Sequence, residues 1–267
     1  MRLPIAVQLY SLRESMQNDA EGTLIALKNM GYDGVEFAGF YGKSANELRD
    51  ICDRIGLVPI SAHMVYPEIR DNIDARIEDF VTLGLKYVVI SYMQLEFHKG
   101  GIDHEGVYEN IKDISAKLHA KGIQLCYHNH NFELCETDGE RVLDCLFDAM
   151  TDDELQSEID TAWIELEVGE AEQYIRKFKN RCDLVHIKSY YTRDGFAELK
   201  HDPTCRKRRD TFEFCNLKKG VLDMPRIVNA AKESGAKWLV VEQDTKDPEL
   251  TDLESAKINI DVLRSLE

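Results

Sequence analysis

Five stretches of this chain share one rhythm, in which a helix-patterned segment ends in Gly and a β-rich run follows within a few residues: "NMGYDGVEFAGF" (29–40), "RIGLVPISAHMVY" (54–66), "TLGLKYVVISYM" (82–93), "AKGIQLCYHNH" (120–130) and "ESGAKWLVVEQD" (233–244). A Gly just after a helix supplies the left-handed residue that ends it, and the Val/Ile-rich run behind it suits a strand covered on both faces. Helix alternating with buried strand implies a parallel sheet. Adding "LPIAVQLYS", "LQSEIDTAW" and "CDLVHIKSY" gives eight strand candidates, at 4–10, 33–38, 57–63, 86–92, 123–129, 156–160, 183–188 and 237–242. Between them, segments such as "SANELRDICDRI" and "GVYENIKDISAKLHA" carry apolar residues at helical spacing. The expected fold is a closed (β/α)8 TIM barrel, and no Pro/Gly/Ser-rich linker divides residues 1–267, so a single domain is expected. An open doubly wound sheet shares the alternation, but no GxGxxG or P-loop glycine pattern follows the first strand.

Composition narrows the function classes. With 43% hydrophobic residues the chain can build a sizeable core, and it lacks an apolar run long enough to span a bilayer. The N-terminal "MRLPIAVQLYSL" has no separate basic region, long hydrophobic run or cleavage site, which points to the cytoplasm. Seven cysteines at irregular spacing, without a CxxC pair, read as reduced thiols. A net charge of -16 opposes adhesion to nucleic-acid phosphates. The basic "CRKRRD" (205–210) sits in a polar stretch from Tyr191 to Thr211 and reads as a solvated loop. That stretch follows strand seven on the active-site side of a barrel, where it would serve as a lid or as a contact in a homo-oligomer.

In a barrel of this type the active site forms at the C-terminal strand ends. Glu36 ends strand two, His63 strand three, His128 strand five, Asp160 strand six, His186 strand seven and Glu242 strand eight. Any one of these is readily explained as a satisfied polar residue. Six on one rim form an N/O donor set for one divalent ion, better suited to Mn, Co, Zn or Fe than to Ca.

These strands, read in order, resemble the xylose isomerase-like TIM barrels grouped as sugar phosphate isomerases/epimerases, with endonuclease IV more distant. The resemblance runs through "VQLYSLRE", "GYDGVEFAGFYG", "SAH", "GIQLCYHNHNFEL", "IDTAW", "LVHIKS" and "WLVVEQD" and covers nearly the whole length. It implies a divalent metal held by one side chain from each of strands five to eight, which carries over to Asp160, His186 and Glu242. The epimerases' strand-five Glu falls on His128. That departure removes one of the two metal-bound carboxylates with which the family's epimerases work on opposite faces of a substrate. His128 is then the expected ligand, unless strand five ends two residues later and presents His130 instead.

The resemblance implies a metal-dependent isomerase or epimerase acting on a sugar or sugar derivative, by proton abstraction next to a carbonyl through an enediolate. Glu242 is the expected base, with His130 or Glu133 serving the second face. Glu36, His63, Asn129, Trp163, Lys188 and Gln8 are the expected substrate-binding groups, although Trp163 reads equally well as packing. If one base suffices, a dehydratase or lyase acting on a keto-sugar or cyclitol is the alternative. A DNA-repair barrel is disfavoured by the acidity of the chain and its smaller ligand set.

Overall fold

A computed structural model describes residues 2–192 and 211–267. Its strands are β1 (Ile5–Gln8), β2 (Gly34–Phe37), β3 (Val58–Val65), β4 (Tyr87–Tyr92), β5 (Gln124–His128), β6 (Gln156–Asp160), β7 (Leu184–Ile187) and β8 (Trp238–Val241). Each pairs in parallel with its sequence neighbours, and β8 closes onto β1 through Ile5 opposite Leu239. The sheet is therefore a closed barrel, which rules out the open doubly wound alternative. The "CRKRRD" segment and most of the polar stretch around it lie outside the described residues.

The Gly rhythm works as expected at helices Ala45–Ile55 and Met224–Ser234, where Gly56 and Gly235 adopt φ of 70° and 86° and close the last turn. Ser44 starts the first of these helices with a reciprocal capping box to Glu47. It then buries Leu48, Ile51 and Cys52 on its inner face, and each fully buried Leu or Ile contributes roughly 1.5–3 kcal/mol. The helix Tyr66–Leu83 starts at once after β3, and Pro67 occupies a first-turn position where its missing N–H costs nothing.

Two cores result. A large one joins the outer faces of the strands to the helices, and a small one inside the barrel contains Ala6, Ile60, Val89, Cys126, Leu184 and Val240. Two short antiparallel hairpins decorate the strand ends, Glu136–Thr137 with Glu140–Arg141 and Ser189–Thr192 with Phe212–Cys215. No described helix is long and apolar enough to cross a membrane. Cys52, Cys126, Cys145, Cys182 and Cys215 are free thiols. Cys135 is disulfide-bonded, against the expectation of reduced cysteines. Irregular spacing along a chain carries no information about which sulfurs approach in space.

Candidate active site

Alternation along the strands decides what reaches the barrel interior. Inward positions pass from small or apolar residues to polar ones toward the C-terminal rim: Ala6 then Gln8, Cys126 then His128, Leu184 then His186. On β6 both upper inward positions are acidic, Glu158 and Asp160, and both are fully buried. The register sets Glu158 opposite His128 and Asp160 opposite His186.

The deeper polar layer centres on one carboxylate oxygen. Glu158 Oε2 lies 2.7 Å from His63 Nε2, 3.1 Å from His128 Nδ1 and 3.1 Å from His186 Nε2. Beside it, Glu36 Oε1 lies 2.7 Å from His186 Nε2 and 3.0 Å from His63 Nε2. Glu36 also accepts from Gln8 Nε2 at 2.8 Å and Ser61 Oγ at 2.6 Å. Burial opposes charge on every one of these groups; mutual attraction outweighs it for Glu36, His63, Glu158 and His186, whereas burial and the neighbouring His186 hold His128 well below the usual imidazole range. His63 is pushed up to about 10 by Glu36 and Glu158, while Glu36 and Glu158 are held below the usual carboxylate range by the imidazoles.

Above this layer, His128, Asp160, His186 and Glu242 bring one ligand atom each within 4.8 Å of one another. His128 Nε2 faces Asp160 Oδ2 at 3.8 Å, and His186 Nδ1 faces Glu242 Oε2 at 3.1 Å. Asp160 also caps the helix Thr161–Glu167, its Oδ1 accepting from Trp163 N at 2.9 Å. Its buried Oδ2 makes no hydrogen bond among the described residues, although the Lys188 ammonium stands 3.2 Å away. Burial pushes Asp160 up to about 6 against the pull of Lys188. Glu242 resists burial and stays well below the usual range because Lys188 and His186 flank it.

This upper set fits a divalent ion. Two imidazole nitrogens and two carboxylate oxygens make a borderline N/O set, and bonds of about 2.1 Å would draw them together with small side-chain adjustments. Asp160 Oδ2, buried and held by its ion pair to Lys188 rather than by a hydrogen bond, is an oxygen that such a centre would use.

A cavity of about 720 Å³ opens over the cluster, lined by His63, His128, His130 and Glu242 together with Phe40, Tyr92, Phe132 and Phe214. Of the residues expected from the sequence, His128, Asp160, His186 and Glu242 converge in one group, and β5 ends at His128, so His128 and not His130 joins that group. His130 stands on the cavity wall, its ring stacked on Phe132. Glu133 is buried behind it, accepting from Tyr127 Oη at 2.7 Å and His130 N at 2.8 Å. Gln8 and Asn129 are spent on the scaffold: Gln8 Oε1 accepts from Tyr10 N, and Asn129 Oδ1 from Asp160 N. Trp163 is buried edge-on against Phe212 and Phe214. Glu36 lies below the cavity floor and Lys188 is buried at the cluster's edge.

Sequence reasoning missed Glu158, although its position two residues before Asp160 on an alternating strand was the available signal. It also missed Asp244, whose Oδ2 is 2.7 Å from Lys188 Nζ.

A family model described as a xylose isomerase-like TIM barrel matches residues 24–266. No curated protein matches the chain. Among solved structures, a sugar phosphate isomerase/epimerase from Parabacteroides distasonis is 21% identical with a TM-score of 0.77, covering 98% of this chain and 97% of that one. An L-ribulose 3-epimerase is 15% identical with a TM-score of 0.74, covering 99% and 94%. A probable 3-DHS dehydratase from Bacillus anthracis is 11% identical with a TM-score of 0.70, covering 98% and 99%. At such identities these likenesses establish the fold.

Proposed function

Because the chain belongs to the xylose isomerase-like TIM barrel family, we propose that it is a divalent-metal-dependent isomerase or epimerase acting on a sugar or sugar derivative. The observation that carries this reading is the convergence of His128, Asp160, His186 and Glu242 beneath one cavity. These four residues would hold a Mn, Co, Zn or Fe ion. The chemistry supplied by such an ion is Lewis acidity and a template for a carbonyl and its neighbouring hydroxyl, which favours proton loss through an enediolate.

The protein's own groups do the rest. Glu242 is ionised, reaches the cavity wall and takes the proton next to the carbonyl. Lys188, its ammonium held by Asp160, Glu242 and Asp244, fixes these carboxylates in place beside the cavity rather than lining it. His130 serves the opposite face, and Glu133 acts by fixing the His130 backbone rather than by touching substrate. His63 offers a polar contact at the floor, and the aromatic rim of Phe40, Tyr92, Phe132 and Phe214 excludes water. Gln8, Glu36, Asn129 and Trp163 hold this constellation from behind. A cytoplasmic location belongs to the same reading.

A second reading, elimination of water from a keto-sugar or cyclitol, is favoured by one observation. His128 stands at the end of β5, at the position where the family's epimerases carry a Glu, and its ring faces Glu158 and Asp160, so β5 supplies no carboxylate to the cluster. A single base suffices for an elimination, and the fold neighbour named as a probable 3-DHS dehydratase gives this reading weight.

The test is incubation of metal-depleted and metal-reloaded protein with ketoses, aldoses and keto-cyclitols in deuterated water. An isomerase or epimerase returns a product heavier by one deuterium only when reloaded. A product lighter by one water selects the second reading, and wild-type protein that binds none of the four ions sinks both.

A further inference from the structure

We infer that Glu158, assisted by Glu36, is a positioning residue that selects which nitrogen each ligating imidazole presents to the metal: Nε2 of His128 and Nδ1 of His186. This inference rests on the metal reading above. The two imidazoles bridge the two polar layers in opposite senses. His128 turns Nδ1 down to Glu158 and Nε2 up toward Asp160, whereas His186 turns Nε2 down to Glu36 and Glu158 and Nδ1 up toward Glu242.

An ionised carboxylate can only accept hydrogen bonds, so every ring nitrogen facing it at these distances must carry a proton. The lower nitrogens are thereby committed as N–H donors, which leaves the upper ring nitrogens as the positions a cation can take: His128 Nε2 faces Asp160 Oδ2 at 3.8 Å, and His186 Nδ1, 3.1 Å from Glu242 Oε2, gives up its proton when the cation takes that place. His63 completes the arrangement as a third donor to Glu158 Oε2, at 2.7 Å. Its ring stacks on His186, with centroids 5.3 Å apart and planes 9° from parallel, which resists rotation of the His186 ring. Carboxylates behind ligating imidazoles fix both their orientation and their basicity.

A rival use of the same atoms is a second ion held by His63, His128, Glu158 and His186, which also converge. With the upper site filled, that would strip both protons from His128 and His186. The 2.7–3.1 Å separations around Glu158 Oε2 are those of charge-assisted hydrogen bonds.

The experiment is long-range proton–nitrogen NMR of the zinc-loaded protein labelled with 15N-histidine, with zinc affinity measured by competition against a chelator. The expected spectrum has His128 coordinated through Nε2 and protonated at Nδ1, His186 the reverse, and His63 uncoordinated. Glu158→Gln should weaken zinc binding by about 10–100-fold and lose the single protonation pattern of His128. Coordination through the other nitrogens, zinc on His63, or unchanged affinity in Glu158→Gln would overturn the inference while leaving the metal reading standing. Wild-type protein that takes up no zinc would remove both. Should Glu158→Gln fail to fold, the wild-type spectrum alone decides.

Discussion

Lys188 holds its ammonium 3.2 Å from Asp160 Oδ2, the oxygen that the helix cap leaves over, and 3.0 Å from Glu242 Oε2. A buried cation thus rests against the two carboxylates that would hold a metal, with Asp244 as its third partner at 2.7 Å and the Phe214 ring 4.4 Å away. In the metal-free protein it balances charge that would otherwise be stranded in the barrel mouth.

Removing that ammonium should therefore be costly. Lys188→Met is expected to lose about 3–5 kcal/mol in the metal-free state, because buried carboxylates are left unpaired. Added Mn should restore part of the loss. Denaturant titrations with and without the ion check this, and equal losses in both would contradict the assignment of Asp160 and Glu242 as ligands.

Asp160 has two separable duties. Asp160→Asn keeps an N-cap acceptor while Asp160→Ala does not, so in metal-free protein the Ala variant should be less stable by about 0.5–2 kcal/mol. Both should lose the ion. Equal stability of the two variants would show that the cap to Trp163 contributes nothing.

Metal affinity should rise with pH. Asp160 takes up a proton below about 6, and His186, raised by Glu158, Glu36 and Glu242 against the effect of burial, must surrender a proton to coordinate. Protons are released as the ion binds. Calorimetry in two buffers of different ionisation enthalpy measures that release, and an affinity unchanged on crossing about pH 6 would contradict it.

Glu133 gives a stability signature. Burial pushes it up to about 7, against the hydrogen bonds from Tyr127 and the His130 backbone, while an unfolded Glu titrates near about 4.3. The native state binds the extra proton, so the contribution of Glu133 is fully present below the unfolded value and is lost as pH rises through about 7. Relative to Glu133→Gln, wild-type stability should decline across that window, by at most about 1.4 kcal/mol per pH unit. Urea midpoints measured in parallel test it, and parallel pH profiles would contradict it.

Much of the barrel was legible because its signals are local. The strand expected at 123–129 forms over Gln124–His128, and the one expected at 156–160 over Gln156–Asp160, since apolar runs bounded by Gly or polar turns have few alternatives. Candidate ligands were legible for the same reason: an ionisable residue ending a buried strand must emerge at the rim. The division of labour among them was not. Gln8 and Asn129 read as substrate groups, yet their amides are consumed by Tyr10 N, Glu36 and Asp160 N, partners supplied by backbone turns and a neighbouring strand.

Taken by itself, the sequence determined the number and parity of the barrel strands, and with them which side chains point inward. Tertiary structure decided what those side chains do once inside. Glu158 shows the difference: parity turns it into the barrel, but a buried carboxylate is tolerable only when partners arrive. Its partners come from β3, β5 and β7, brought to one height by barrel closure and register.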